Sequence, residues 1–245
     1  MDEKLKNTII SAVQEAGIRL GNPDPKKTAY ELERRCREQI VRQIKKTDPL
    51  ISLWGEEERE PQRALAICPL DSADNFARGI GPFGVMAAYI QEGTPVFGAL
   101  FLPMTVEMVV AERGKGARMN GKRFSVCGRA DMSRALVCCS LGVYGEDNLP
   151  IGLDIVPRLA ESAVSWRNLG SPALEFVSLA GGMIDGLIIP AQESAHATGY
   201  LIMQEAGAKV TDSHGKPFSL YSQNIIAANP GLHGPLLELV QGALG

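Results

Sequence analysis

An apolar run that ends at a proline and is followed at once by an acid constrains this chain more than any other feature. Ala64 to Ile67 is apolar enough for a buried strand, and Pro69, which has no N–H and a fixed φ, ends it. Asp71 follows, and the next residues are small and polar, as a backbone that must approach a ligand closely requires. We therefore expect the chain to turn outward after the strand and to form a functional site at residues 68–76.

Composition and charge exclude several classes of function. The 245 residues are 45% hydrophobic and 22% charged, as is usual for globular proteins, and the formal charge of −3 gives no reason to expect nucleic acid as a partner. No apolar run approaches the ~20 residues of a membrane span. The polar start, Met1 to Lys4, lacks the apolar core of a signal peptide. Five cysteines, an odd number, indicate reduced thiols. We expect a cytoplasmic protein without nucleic-acid or membrane partners.

The first half of the chain is predicted to form two helices and then a meander of strands. Helical spacing predicts helices over residues 3–20 and from Thr28 to about Lys46. Short apolar or alternating runs between turn residues predict strands at 51–54, 64–67, 83–90, 96–102 and 107–111. Asn120-Gly121 predicts a type I′ hairpin turn.

A polar segment near residues 128–134 is predicted to join this half to the next. Beyond it, strands and helices alternate. The predicted strands lie at 135–141, 164–167 and 182–189, and the predicted helices at 155–163 and 235–243. Asp185 is typical of a structural turn residue.

Residues 68–76 resemble the signature of the inositol monophosphatase family, Asp-Pro-(Ile/Leu)-Asp-Gly-(Thr/Ser)-x-Asn-Phe. The matching positions are Pro69, Leu70, Asp71, Asn75 and Phe76. The chain departs from the signature at three positions, where Cys68 replaces the first Asp, Ser72 the Gly and Ala73 the Thr. The family consists of metal-dependent phosphatases of small phosphorylated sugars and polyols.

Further motifs of the family recur in the same order along the chain. Gly55-Glu56-Glu57 resembles its Gly-Glu-Glu motif, and Gly170-Ser171 resembles its Gly-(Ser/Thr)-Ala-Ala turn. Residues 194–199 resemble its Trp-Asp-x-Ala-Ala-Gly motif, but the metal-binding Asp is replaced by Ala195.

The resemblance implies the fold. It covers about residues 5–240 and implies an α+β protein, a layered α/β/α/β/α sandwich of the inositol monophosphatase and fructose bisphosphatase type. Residues 1–130 would form an α+β half that carries the metal-site motifs, and residues 131–245 an α/β half. The two halves would make one continuous structural unit with the site in the cleft between them.

The resemblance also implies the site residues. In the family, carboxylates hold Mg²⁺ ions that polarise the phosphate and generate a hydroxide. The implied metal ligands are Glu56, Asp71 and the backbone carbonyl of Leu70. The implied phosphate-binding residues are Ser72, Ala73 and Asp74. Asp71 is also implied in catalysis, as is Glu31, although Thr28 and Glu31 have the spacing of a capping box and the capping role is favoured.

Cys68 and Ala195 take the places of two of the four family carboxylates, so the charge available to metal ions falls from −4 to −2. A thiol is a poor ligand for Mg²⁺, which prefers hard oxygen atoms. Ala73 also removes the hydroxyl that would orient the attacking water. We expect Mg²⁺ to be weakly bound or absent and phosphatase activity to be absent or nearly so. The cleft would still accept a phosphorylated sugar or polyol, or a partner.

Two alternatives stay open. An active metal-dependent phosphomonoesterase would have rebuilt its site with Asp74, Glu57 or Glu193 as replacement ligands. A softer site for Zn²⁺ would use Cys68, His196 and Glu56, whereas packing is the plainer role for the first two. The family also makes a homodimer an expectation.

Overall fold

The computed structural model describes residues 1–23, 26–55, 61–140, 149–162, 165–189 and 196–243. These residues form seven α-helices, namely Glu3–Gly21 (α1), Ala29–Thr47 (α2), Ala73–Ala77 (α3), Leu149–Glu161 (α4), Pro172–Ala180 (α5), His196–Glu205 (α6) and His233–Ala243 (α7). The first two begin and end within one residue of their predicted bounds. Within the described residues, no helix is both long enough and apolar enough to cross a membrane.

The first sheet has seven strands in sequence order. They are Ser52–Leu53 (β1), Arg63–Cys68 (β2), Val85–Gln91 (β3), Thr94–Leu102 (β4), Glu107–Glu112 (β5), Gly116–Met119 (β6) and Lys122–Arg123 (β7). β1 pairs with β2 in parallel, and every later pair is antiparallel. Asn120 and Gly121, between β6 and β7, have φ of 47° and 79°, which confirms the predicted type I′ turn.

The second sheet has five strands. They are Leu136–Cys139 (β8), Ser165–Arg167 (β9), Gly186–Ile189 (β10), Lys209–Thr211 (β11) and Ile225–Ala228 (β12), in the order β11-β12-β10-β8-β9. β8 is parallel to β9 and β10, whereas β12 is antiparallel to its neighbours. Parallel neighbours need crossover connections, and α4 and α5 provide them between β8, β9 and β10.

The sheets alternate with three layers of helices. Along β2, Leu65 and Ile67 belong to the core beneath α1 and α2, whereas Ala64 and Ala66 belong to the core on the other side, because successive strand residues face opposite ways. α5 and α6 share that second core with both sheets, and α4 and α7 pack on the outer face of the second sheet. This order confirms the predicted α/β/α/β/α sandwich.

Two predicted boundaries lie several residues from the observed ones. The strand predicted from residue 182 begins at Gly186, because the amides of Gly182, Met183 and Ile184 donate to carbonyls at the end of α5. The helix predicted from residue 155 begins at Leu149. Pro150 falls in its first turn, where a proline's missing N–H is tolerated.

Candidate active site

β2 ends at Cys68, as the proline predicts, but the residues after it do not turn outward: Pro69, Leu70 and Ser72 are buried, and of residues 68–76 only Asp74 is exposed. β2 ends immediately before Pro69, and the buried side chain of Leu70 packs into the core beneath α1 and α2. Farther on, the ring of Phe76 meets that of Phe83 edge-on, with centroids 5.0 Å apart. Apolar contacts therefore hold the loop both before and after Asp71.

Both carboxylate oxygens of that acid, Asp71, accept hydrogen bonds. Oδ1 accepts from the amide of Gly84 at 2.6 Å. Oδ2 accepts from the hydroxyl of Ser171 at 2.6 Å and from the amide of Ala173 at 2.8 Å. Burial raises the pKa of Asp71 above its ordinary value, although the three hydrogen bonds favour the charged form. Asp71 therefore links the loop after β2 to the start of α5.

A second set of bonds reinforces the same link. The hydroxyl of Ser72 donates to the carbonyl of Gly170 at 2.7 Å, and the side-chain amide of Asn75 donates to it at 3.2 Å. Ser72 is 6% exposed. Its predicted phosphate-binding role would therefore require its hydroxyl to leave an internal partner.

The structure places the other predicted residues of this loop differently. The side chain of Asp74 is 94% exposed and pairs with the guanidinium of Arg78 at 3.0 Å. Ala73 packs against the core beneath α1 and α2. Their phosphate-binding roles stay predictions.

Glu31 forms the predicted capping box. Its carboxylate accepts from the amide of Thr28 at 2.9 Å, and the Thr28 hydroxyl accepts from the amide of Glu31 at 3.2 Å. The bond from the Thr28 amide lowers the pKa of Glu31. The capping role is confirmed, and a catalytic role stays a prediction.

Cys68 occupies the last position of β2, opposite Met86 of β3, and is partly buried. All five cysteines lie in the described part of the chain, and no disulfide joins any of them. At the place where the family signature has its first Asp, the chain therefore presents a thiol.

Four candidate residues lie outside the described residues, namely Glu56, Glu57, Glu193 and Ala195. His196, the first residue of α6, is 1% exposed and meets the ring of Phe176 edge-on. Burial lowers the pKa of His196 to about 3, so its imidazole is neutral at physiological pH.

Glu175, on the first turn of α5, has no counterpart among the predicted site residues. It is 0% exposed, and its carboxylate accepts from the hydroxyl of Ser140, from the thiol of Cys138 and, at 3.3 Å, from the amide of Leu169. Burial raises its pKa to about 7, and the charge of Asp71 acts in the same direction. An acid inside the apolar run 173–177 is the sequence signal that would have identified it.

The described residues alone do not complete a Mg²⁺ site, and the implied ligand Glu56 lies outside them. Mg²⁺ needs several oxygen ligands in octahedral geometry. Asp71 already accepts three internal hydrogen bonds, and Cys68 offers sulfur. Across the described ranges, no three His, Cys, Asp or Glu side chains are grouped closely enough to hold an ion.

Comparison with known families gives one assignment over nearly the whole chain. Residues 3–244 match the inositol monophosphatase family. A relative named Nus factor SuhB from Pseudomonas aeruginosa is 30% identical over 91% of this chain and 86% of its own. An inositol-1-monophosphatase from Mesorhizobium japonicum is 26% identical over 98% and 97%.

Solved structures agree with this assignment. The extragenic suppressor protein suhB of Bartonella henselae superimposes with a TM-score of 0.86 at 25% identity, over 98% of this chain and 99% of that one. An IMPase from Thermotoga maritima gives a TM-score of 0.83 at 26% identity, over 96% of each chain.

Proposed function

Since the chain belongs to the inositol monophosphatase family, we propose that it is a member whose Mg²⁺ site has been eroded. It would lack, or nearly lack, metal-dependent phosphatase activity. It would keep a cleft between residues 1–130 and residues 131–245 that accepts a phosphorylated sugar or polyol, or a partner.

One observation carries this proposal: Cys68 stands at the end of β2, immediately before Pro69 and Leu70, where the family signature has a carboxylate. Near a protein surface a pair of unit charges ~4 Å apart interacts by about 4 kcal/mol, and the interaction doubles for a divalent ion. Desolvation offsets much of this, but a residual ~3 kcal/mol still corresponds to about a hundredfold in affinity for each lost carboxylate. Ala195 removes a second one.

The missing charge matters because phosphate monoester hydrolysis is among the slowest uncatalysed reactions, with accelerations of up to ~10²¹ by enzymes. In an intact member, bound Mg²⁺ would supply the polarisation and the nucleophile for this chemistry. Here Ala73 has no hydroxyl to orient water, and the hydroxyl of Ser72 is bonded to the carbonyl of Gly170.

The names of the relatives support both kinds of occupant. Some are named inositol-1-monophosphatase, which favours a phosphorylated polyol in the cleft. Others are named Nus factor SuhB, which favours a partner. Under the proposal, either occupant is bound without turnover.

A phosphatase assay tests the proposal. Purified protein is incubated with p-nitrophenyl phosphate and with inositol phosphates in Mg²⁺, Mn²⁺ or Zn²⁺. We expect no phosphatase rate that is lost in the Asp71→Asn variant. Glu38→Gln, a change at an exposed residue of α2, is the matched control. A rate that Asp71→Asn or Asp74→Asn removes and Glu38→Gln leaves intact would instead establish an active enzyme with a rebuilt site.

A restoration experiment sharpens the result. Cys68→Asp, Ala73→Thr and Ala195→Asp are combined in one variant, and thermal unfolding is followed during a MgCl₂ titration. We expect Mg²⁺ to raise the melting temperature of the triple variant but not that of the natural sequence. An equal shift in both proteins would contradict the loss of the site.

We extend the proposal to a homodimer in the cytoplasm. Its structural support is the exposure of three large apolar side chains, Ile80, Met104 and Val106, which are 51%, 61% and 66% exposed, and the first two of these line one pocket. Light scattering on the purified protein tests the dimer, and a monomer at all concentrations would refute it.

A further inference from the structure

Helix α2 and the turn before it carry a positive charge that the formal charge of the whole chain conceals. Residues 26–47 contain eight Lys and Arg but only three Glu, a surplus of five positive charges. Because the whole chain has a formal charge of −3, the remaining residues together carry −8. A local excess of one sign in a chain of the opposite sign indicates a surface for an oppositely charged partner.

The cations of α2 form a stripe on its exposed face. Arg35, Arg42 and Lys46 follow one another at spacings of seven and four residues, so they lie on one side of the helix. All three are exposed, and the opposite side of α2 is buried in the core that it shares with α1. Within the described part of the chain no salt bridge joins any of the three to an acid, whereas the neighbouring Arg34 pairs with Glu38 at 2.6 Å. The charge of this basic stripe is therefore open to solvent.

A polar groove of about 680 Å³ lies between α1 and α2 beside the stripe. The hydroxyls of Thr8 and Thr47 meet across it, 3.1 Å apart. Lys4 and Lys46 are its only charged residues, and the other residues that line it are polar and uncharged. Because Lys46 belongs to both the groove and the basic stripe, the two form one continuous surface.

The side chains of α1 do not neutralise this surface. Glu3 pairs with Lys6 at 2.6 Å, and the carboxylate of Glu15 accepts from the side-chain amide of Gln43 at 2.6 Å. The Oε1 atom of the same Gln43 is buried and has no hydrogen-bond partner among the described residues. A buried acceptor without a donor is costly, so the groove lacks an N–H or O–H group as well as negative charge.

We propose that the basic stripe and the groove together dock an acidic segment of a partner protein. Its carboxylates pair with Arg42, Lys46 and Lys4. A main-chain N–H of the segment can donate to the Oε1 of Gln43 once that amide rotates toward the groove. A polypeptide is the one occupant that brings both carboxylates and N–H donors along its whole length.

Two observations favour a protein segment over a nucleic acid. No aromatic side chain lines the groove, so bases would have no ring on which to stack. The −8 charge of the remaining residues also repels a long polyanion, whereas a short acidic segment contacts only the basic stripe and the groove.

This surface goes beyond the proposed function because it lies away from the cleft. α1 and α2 share a core with one face of the first sheet, and α5, α6 and the second sheet pack on the other face. A segment docked on α2 therefore leaves the cleft between residues 1–130 and 131–245 free.

Fluorescence polarisation with labelled peptides tests the docking surface. The acidic probe is (Glu-Ala)₆ and the neutral probe is (Gln-Ala)₆, both in EDTA with about 50 mM NaCl, where charge pairs are weakly screened. We expect the natural sequence to bind only the acidic probe, and Arg42→Gln/Lys46→Gln to bind it about tenfold more weakly. The matched control Lys122→Gln/Lys216→Gln removes two exposed cations elsewhere and should bind as the natural sequence does. No binding by the natural sequence, or an equal loss in both double variants, would overturn the proposal.

A second variant separates the groove from general attraction between charges. Asn7→Ala/Ser11→Ala removes two polar groups from the groove without changing any charge, and alanine is well tolerated within a helix. We expect it to bind the acidic probe about threefold more weakly, because two side-chain hydrogen-bond donors are lost. An unchanged affinity would show that charge alone attracts the peptide and would overturn the groove as its docking site.

Other occupants are tested with the same double variant. We expect a labelled oligothymidylate of about 12 nucleotides to bind more weakly than the acidic probe. Tighter binding of the oligonucleotide that Arg42→Gln/Lys46→Gln removes would assign the surface to nucleic acid and overturn a protein partner. Self-association that the same variant removes, measured by light scattering, would assign it to a second copy instead. These assays use no metal and no phosphate ester, so their failure is distinct from failure of the proposed function.

Discussion

Two groups of acidic side chains, Asp185 on the one hand and Asp71 with Glu175 on the other, differ in the charge of their hydrogen-bond partners. Asp185, at the start of β10, is 3% exposed and accepts from the amide of Leu136 at 2.8 Å, from the thiol of Cys127 at 2.8 Å and from the guanidinium of Arg129 at 3.0 Å. Among the described residues, the hydrogen-bond donors to Asp71 and to Glu175, which meet at the start of α5, are amides, hydroxyls and a thiol, all of them neutral.

Under the proposed function, the difference separates a structural acid, Asp185, from an acid of the proposed former metal site, Asp71. Asp185 has a cation, and it raises the pKa of the Arg129 guanidinium in turn. Burial raises the pKa of both Asp71 and Glu175, and no cation in the described part of the chain is hydrogen-bonded to either carboxylate. In an intact member of the family, metal ions would provide positive charge in this region. We infer that hydrogen bonds at the helix start have taken over that compensation.

The largest loss of stability should follow from replacing Asp185, the acid that has a cationic partner. Asp185→Ala leaves the buried amide of Leu136 without its acceptor and ends the contact with Arg129. We expect the free energy of unfolding to fall by about 3–5 kcal/mol and the melting temperature by about 10 °C, measured by urea and thermal unfolding. Arg129→Gln, which removes a partly exposed cation and leaves the carboxylate's other partners, is the control. If Arg129→Gln lowers the free energy of unfolding as much as Asp185→Ala does, the cation rather than the buried acceptor would contribute most of the stability of these contacts.

Replacing Glu175 should raise the stability of the protein at neutral pH, whereas replacing Asp185 should lower it. A carboxyl whose pKa is raised on folding stabilises the fold below its unfolded pKa, and that stability is lost as the pH rises from about 4.5 to about 7. The loss is ~3 kcal/mol. Glu175→Gln should remove this dependence, so urea unfolding should show the variant to be more stable at pH above 7 and similar at acidic pH. A pH dependence that is equal in both proteins would contradict the rise in the pKa of Glu175 on folding.

The hydrogen bonds from Ser72 and Asn75 to the carbonyl of Gly170 should contribute less than either acid. Ser72→Ala removes one neutral hydrogen bond to the carbonyl of Gly170, which still accepts from Asn75. We expect a loss of about 1 kcal/mol in urea unfolding. A loss as large as that in Asp185→Ala would mean that Ser72, rather than Asp71, holds the loop.

The smallest effect belongs to the exposed acid of the loop. Asp74→Asn removes a surface pair with Arg78, and such pairs contribute little. The melting temperature should change by less than about 1 °C. A larger loss would show that Asp74 stabilises the fold although its side chain is exposed, and it would contradict the difference between Asp74 and Asp71.

Local features of the fold were predictable from the sequence because they depend on neighbouring residues. The capping box of Thr28 and Glu31 and the turn at Asn120-Gly121 need only three or two positions each. The layered architecture followed from the order of motifs that resemble the family.

The contacts of the candidate site were not predictable in this way. The partners of Asp71 on α5 lie about a hundred positions away along the chain, and no local pattern encodes them. The sequence predicts the end of β2 before Pro69, but it does not show that Asp71 is hydrogen-bonded internally. Glu175 was detectable in principle as a charge among apolar residues, yet its partner Ser140 lies on a separate segment of the chain.

Crystals soaked in MnCl₂ and measured at the manganese absorption edge test the central claim most directly. We expect Asp71 to stay bonded to Ser171 and Ala173, with no anomalous peak beside it. Two occupied manganese positions beside Asp71, with its carboxylate turned away from α5, would contradict the eroded site.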